Sequence, residues 1–195
     1  MPEHTPQGVG GALVDLSGVA IEDDGALDPE HPAQWLRLQP SQVLARLDAD
    51  AMAALMADAH VLLAALAQGA ASHALEATIT HLSTRVQFGR PLTAKQAVRH
   101  ALARMKLAQE VSAAALARAL CPDEFSNARS ARTALAGSIS QAAFVIEKAI
   151  HLHGGMGFTW DLPLHHGLRE VRQLDAAFGA GALTRELGQA FIERA

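Results

Sequence analysis

The sequence predicts an all-α fold, a four-helix up-down bundle preceded by a short β or irregular segment, on three observations. Half of the 195 residues are hydrophobic, but alanine dominates them, aromatics reach only 4% and tyrosine is absent. Small side chains of this kind suit close helix packing better than a sheet sandwich. Beyond about residue 47, apolar residues recur at helical spacing over stretches too long for strands. Those stretches end at proline or glycine, as at Pro122 and at Gly154 and Gly155. The expected organisation is therefore an irregular or β segment over 1–46 and a helical bundle over 47–195.

In the first segment, Ala12 to Leu16 reads as a short strand, Asp23-Asp24-Gly25 as a turn, and Trp35 to Leu38 as a half-buried alternating strand. The first long helix is expected to begin near Asp48 or Asp50, either of which can accept hydrogen bonds from first-turn N–H groups, and to run to about Thr84. Leu55, Leu62 and Leu66 share one face of it, while Gly69, Ala70 and Ala71 leave room for a neighbouring helix. A second helix opens with Thr93 and Gln96 in a capping box, continues through Val98, Leu102 and Met105, and stops at Pro122. In the third, Leu135, Ile139, Ala142, Ile146 and Ala149 form one stripe that ends at Gly154 and Gly155. A shorter fourth helix is expected from Leu162 to Phe178, capped by Asp161 with Pro163 in its first turn. A last helix covers about Leu183 to Arg194.

With 16 Lys and Arg against 20 Asp and Glu, the net charge is -4 and no long basic block occurs, so neither nucleic acid nor an anionic membrane surface is an expected partner. The amino terminus has no leader-like pattern, and no stretch reads as the roughly 20 apolar residues that cross a bilayer, which sets a cytoplasmic location as the expectation. Cys121 is the single cysteine, so no disulfide forms within the chain. The ten histidines show no metal-ligand spacing, and the adjacent His165 and His166 are expected to point in different directions and to face solvent.

Two segments carry chemistry. Arg85-Val86-Gln87-Phe88-Gly89-Arg90-Pro91-Leu92 follows the first helix, and His153-Gly154-Gly155-Met156-Gly157-Phe158-Thr159-Trp160 follows the third. A guanidinium gives directional charged hydrogen bonds, an aromatic ring covers apolar ligand surface, and glycines let backbone approach a ligand closely. Taken singly, Arg85 would be a helix end with a surface ion pair, and the glycines an ordinary helix stop. The continuation Gln96-Ala97-Val98, His100, Leu102-Ala103 and Met105 keeps a fixed spacing to the first segment.

Together these segments resemble the C-terminal helical domain of the flavin-dependent acyl-CoA dehydrogenases. The resemblance implies FAD as cofactor, held by Arg85, Gln87, Phe88, His151, Gly154 and Gly155, largely across a subunit interface. His151 stands where many relatives carry Gln, and His153 matches a frequent family His. Residues 1–46 resemble the tail of the family's middle β-domain, so the chain is truncated relative to full-length members. The implied activity is oxidoreduction, the α,β-dehydrogenation of an acyl-CoA thioester in lipid or steroid catabolism. The implied partner is another acyl-CoA dehydrogenase subunit, in a homo- or hetero-oligomer.

That chemistry needs a carboxylate base beside the thioester. In many members it lies about nine residues beyond an Arg in the fourth helix, which from Arg169 leads to Phe178, followed by Gly179. Other members place it on the first long helix, which leads to Ala59, flanked by Asp58 and His60. One residue turns a helical side chain by roughly 100°, so Asp58 is a poor replacement. Asp175, one turn before Phe178, is a similarly weak candidate, and Ala180 and Ala182 stand near the positions of the family's Thr and Gln. No catalytic residue is assigned, and the chain is expected to be inactive alone. The alternative is a helical scaffold that has lost flavin.

Overall fold

The computed structural model describes residues 2–5, 8–24, 33–37, 43–121 and 130–193. The expectations at Gly25, Leu38, Pro122 and Arg194 lie outside the described residues. The chain divides into two compact units, Met1–Ala59 and His60–Ala195.

The first unit holds strands β1 (Pro2–Thr5), β2 (Gly8–Val14), β3 (Ile21–Asp24), β4 (Ala33–Leu36) and β5 (Val43–Leu47). β1, β2 and β5 form an antiparallel sheet in that order, and β3 pairs antiparallel with β4. Two expectations are corrected. Asp23 and Asp24 lie in β3, opposite Gln34 and Ala33, instead of in a turn. Trp35 is exposed instead of half-buried. The cause is that this ribbon is joined by polar pairs: Arg37 bridges Glu22 at 2.8 Å and Gln34 Nε2 donates to Asp23 Oδ1 at 3.1 Å.

Helix α1 (Ala49–Thr84) begins where Asp48 Oδ1 accepts from the Ala51 N–H at 2.8 Å, as its sequence predicts. Its buried face is not the leucine face. Ala64, Ala67, Ala71, Ala74, Leu75, Thr78 and Leu82 are buried, whereas Leu55, Leu62 and Leu66 are exposed, Leu62 by 70%. An alanine stripe lets neighbouring backbones approach, and turning it inward leaves the leucines on the opposite side. Gly69 faces open space; the close approach is at Ala70, whose Cβ lies 3.6 Å from where a Cβ on Gly167 would stand. By length and composition α1 is also apolar enough to cross a membrane, with an 18-residue window of mean hydropathy 1.5, contrary to the sequence expectation. Leucine, valine and methionine contribute more of that hydropathy than alanine; the window is only 6% buried, and the core residues of α1 begin at Ala64.

A tight hairpin of β6 (Val86–Gln87) and β7 (Arg90–Pro91) leads into α2 (Gln96–Leu120). The expected capping box is absent. Thr93 falls in a 3-10 turn, Leu92–Ala94, and Lys95 occupies the cap with no side-chain bond. The hairpin closes through the Leu92 N–H on the Arg85 carbonyl, and the Leu92 carbonyl in turn accepts from the Lys95 N–H, which keeps Thr93 inside the 3-10 turn. Arg99 Nε donates to the Thr93 carbonyl at 2.9 Å.

Helix α3 (Ala131–Leu152) starts at Ser130, whose Oγ accepts from the Thr133 N–H, and buries the whole predicted stripe together with Ala143, Val145 and Ile150. Buried on most of its circumference, it is the central helix. Ser138 pairs with Ser112 of α2 at 2.9 Å, so this polar pair between the two helices is satisfied within the core.

Helices α4 (Leu164–Phe178) and α5 (Ala180–Ile192) together form the fourth limb of the bundle. They run back along α3, tied by Arg172 to Glu147 and then by Arg132 to Glu186 at 2.7 Å. Gly179, at φ 61, breaks the limb, and Asp175 Oδ1 accepts from the Gly181 N–H across the break. That glycine starts α5 three residues before the expected Leu183. Asp161 does not cap α4: it sits in the preceding turn, and Pro163 takes the cap position without a side-chain bond.

Met105 is fully buried while Leu62 is exposed. Met105→Ala should therefore cost about 2–5 kcal/mol, and Leu62→Ala within about 0.5 kcal/mol, in chemical denaturation of the chain. Equal losses would contradict the inward alanine face.

Candidate functional site

The hairpin after α1 has a two-residue turn in which Phe88 (φ 54) and Gly89 (φ 76) are both left-handed. Glycine adopts this conformation freely. For a phenylalanine it costs about 1–2 kcal/mol. The strained residue is also the outermost: Phe88 is 89% exposed, with Lys95 Nζ 4.8 Å from its ring centroid. Arg85 and Gln87 are exposed beside it. The hairpin thus presents a guanidinium, an amide and an aromatic face outward.

The glycine segment separates into three roles. Gly154, at φ 64, ends α3 in the left-handed conformation and begins a 3-10 turn over Gly154–Phe158. Gly157 is a packing glycine, since a Cβ there would lie 2.1 Å from the Ile150 carbonyl oxygen. Gly155 faces open space. Gly154 and Gly155 therefore offer accessible backbone, while Gly157 anchors the turn to α3.

A histidine pair joins the two segments. His81, one turn before Arg85, stacks on His153, the residue before Gly154, with centroids 4.4 Å apart and planes inclined by 25°. His153 is buried, and its Nδ1 lies 2.8 Å from the Ala149 carbonyl, which it meets as donor. This contact places the ends of α1 and α3 side by side, so the Arg85 corner and the glycine turn share one end of the bundle. Burial, then the neighbouring His153 and Arg85 charges, lower the His81 pKa below its ordinary value.

His151, exposed on α3, lines a different opening, a cleft of about 450 Å³ between α3 and α4. Arg85, Gln87, Phe88, Gly154 and Gly155 do not line it. Within a single chain, the predicted residues thus form an exposed corner plus one member of an adjacent cleft. His165 and His166 depart from the expected solvent-facing arrangement: both are half-buried, with ring centroids 4.1 Å apart, and His165 meets Trp160 edge-on at 4.6 Å. Sequence reasoning missed His81, and named Trp160 only within its segment and Arg169 only as a landmark for the base. The spacing of His81 four residues before Arg85 put them on one helical face and was the available signal.

At the positions where a base is implied, Phe178 ends α4 and meets His60 edge-on at 6.4 Å, and Ala59 lies on α1. Asp175 has a structural task at the α4–α5 break, and Asp58 is exposed. Burial, then the charge of Arg132, lower the His60 pKa. Among the described residues no cluster of His, Cys, Asp and Glu is arranged to hold a metal ion.

The sequence pattern of the acyl-CoA dehydrogenase C-terminal domain matches residues 49–192. The chain is 35% identical over 134 residues to the acyl-CoA dehydrogenase IpdE2 of Mycobacterium tuberculosis, a match covering 66% of this chain and 41% of that protein. It is 31% identical over 125 residues to the mitochondrial short-chain specific acyl-CoA dehydrogenase of Bos taurus, covering 63% and 30%. Among solved structures, a variant of the Tcur3481–Tcur3483 steroid ACAD matches with a TM-score of 0.83 at 30% identity, over 98% of this chain and 54% of that one. The ChsE4–ChsE5 complex of Mycobacterium tuberculosis has the same fold, with a TM-score of 0.80 at 24% identity and the same coverage of 98% and 54%. The chain spans less than half the length of these curated relatives.

The lowered pKa values of His60 and His81 give the fold an acid limit. A histidine held neutral in the folded state lets the unfolded chain take up protons first, so its stabilisation is complete above about pH 6.5 and is lost as pH falls below it. His81→Phe keeps a ring on His153 and removes one of the titrating groups. The fall in Tm between about pH 7 and about pH 5 should shrink in that variant; an unchanged fall would remove His81 from the account.

Proposed function

The chain belongs to the acyl-CoA dehydrogenase family, whose C-terminal domain it carries, and from that premise we propose that it contributes one side of an FAD site and a bundle face to an oligomeric acyl-CoA dehydrogenase. The observation that carries this is the His81–His153 stack, which gathers the Arg85 corner and the Gly154 turn at one exposed end of the bundle. Exposure on both segments suits a ligand held between subunits better than one enclosed in a single chain.

The residues fit such a group. Arg85 would pair with a phosphate oxygen through charged hydrogen bonds. Phe88, held outward at a conformational cost, would cover an apolar ring. The open backbone at Gly154 and Gly155 admits a phosphate or adenine at close range, and His151 provides a polar contact at the edge. The flavin, when bound, accepts the hydride from the acyl chain.

Proton abstraction would fall to the partner. Phe178 and Ala59 occupy the two positions at which the family resemblance implies a base, and neither side chain accepts a proton. The partner is then a second acyl-CoA dehydrogenase subunit that supplies the base and the remainder of the flavin site, with the thioester of a lipid or steroid acid as substrate. A helical scaffold without flavin is the second reading, favoured by those same two side chains.

Co-expression with acyl-CoA dehydrogenase subunits should yield an assembly that retains a yellow chromophore and bleaches on addition of acyl-CoA. Arg85→Ala should weaken flavin retention by about tenfold or more, the value of a charge-assisted hydrogen bond. An assembly that stays colourless with every paired subunit, or flavin content indifferent to Arg85→Ala, would leave the scaffold.

A further inference from the structure

An opening of about 220 Å³ lies between the first turns of α2 and the last turns of α3. Ala97, His100, Ala101 and Arg104 line it from α2 at the three- and four-residue spacing of one helical face. Phe144 and Lys148 line it from α3, one turn apart. Two of these six residues are cations, a third offers a ring N–H, and none is acidic.

The carboxylates of both helices are engaged elsewhere. α2 has one acidic residue, Glu110, which pairs with Lys106 at 2.6 Å, and α3 has one, Glu147, which pairs with Arg172 of α4. Among the described residues, the Arg104 guanidinium meets the Phe144 ring, 6.0 Å from its centroid, and neither Arg104 nor Lys148 pairs with a carboxylate. Cations gathered at one opening repel each other, and an anion seated among them turns that repulsion into attraction. The ring contact also holds the guanidinium at the wall, which lowers the cost of ordering it around a ligand.

The donors select the anion. Arg104 presents a planar fork, Lys148 a point charge with three N–H bonds, and His100 a ring N–H, each from a separate position on the two helices. A phosphomonoester has three terminal oxygens and a charge of about −1.5 to −2 at neutral pH, so each donor can have its own acceptor. A carboxylate or a phosphodiester offers two such oxygens and a single negative charge.

We infer that this opening binds the phosphomonoester group of a small molecule or inorganic phosphate itself, with Arg104, Lys148 and His100 as its donors. None of Arg85, Gln87, Phe88, His151, Gly154 and Gly155 lines it, and the inference does not rest on the flavin reading. The pyrophosphate of a flavin dinucleotide, a diester at each phosphorus, is the wrong chemistry for it.

Orthophosphate, phenyl phosphate, dimethyl phosphate and acetate are the probes, titrated into the full chain at about pH 7.5 while the backbone amide resonances of Ala97 and Ala101 are followed by NMR. Orthophosphate and phenyl phosphate should shift both resonances saturably, and dimethyl phosphate and acetate should bind at least about tenfold more weakly, as loss of a charged hydrogen bond requires. Tighter binding of phenyl phosphate assigns an organic phosphate, and equal binding assigns the inorganic ion; either upholds the site. Arg104→Gln and Lys148→Gln should each weaken phenyl phosphate by about tenfold or more at an unchanged melting temperature, and Arg85→Ala should leave it unchanged. Because Arg104 is exposed, its variant should stay folded; should it unfold, Lys148→Gln carries the same test. Unshifted amides, dimethyl phosphate binding as tightly as orthophosphate, full affinity in the folded variants, or loss of binding in Arg85→Ala would overturn the site.

Discussion

Close contact with the small-residue faces of α3 sets the packing of α2, α4 and α5. Ala142, Ala143 and Ala149 on α3 share a core with Ala64, Ala67, Ala71 and Ala74 on α1 and Ala108 on α2. Such small side chains fill an interior only when backbones come near, and larger residues take the remaining volume: Met105, Ile146 and Val145 are fully buried among them. The same constraint explains the outward leucines of α1. A helix can offer a neighbour its alanine stripe or its leucine stripe, and the tighter approach requires the former.

From that packing follows the geometry at the Arg85 end of the bundle. Because α1 and α3 finish at the same end of the bundle, His81 and His153 meet in a stack, and whatever follows each helix is brought beside whatever follows the other. The chain spends conformational energy there instead of packing energy. Phe88 is left-handed and exposed, and Gly154 is left-handed with open space around it. Strain and exposure coincide at Phe88.

The α3–α4 cleft reflects a different consequence of the packing. Gly157 must be glycine because the turn presses on Ile150, and that pressure carries Phe158 and Trp160 over the side of α4. Arg169 is thereby covered by an indole instead of meeting a carboxylate. The broken fourth limb accommodates this, since Gly179 lets α5 follow α3 independently of α4.

Much of the fold was legible in the residues themselves. Local signals act over a few positions, and they held where nothing distant competed: the Asp48 cap, the stripe from Leu135 to Ala149 and the helix stop at Gly154 all stand as read. They failed where another contact took over, as when the 3-10 turn Leu92–Ala94 held Thr93 or when Gly179 started α5 early. The sequence by itself determined the helical class, the family resemblance and the two segments that carry it, because those depend on residue type and spacing. Tertiary structure alone decided which face of α1 turned inward, that His81 would stack on His153, and that the Arg169 guanidinium would lie over the Trp160 ring. Each of these is a contact between separate elements of the chain, selected by how closely helices approach, and no local pattern encodes that distance.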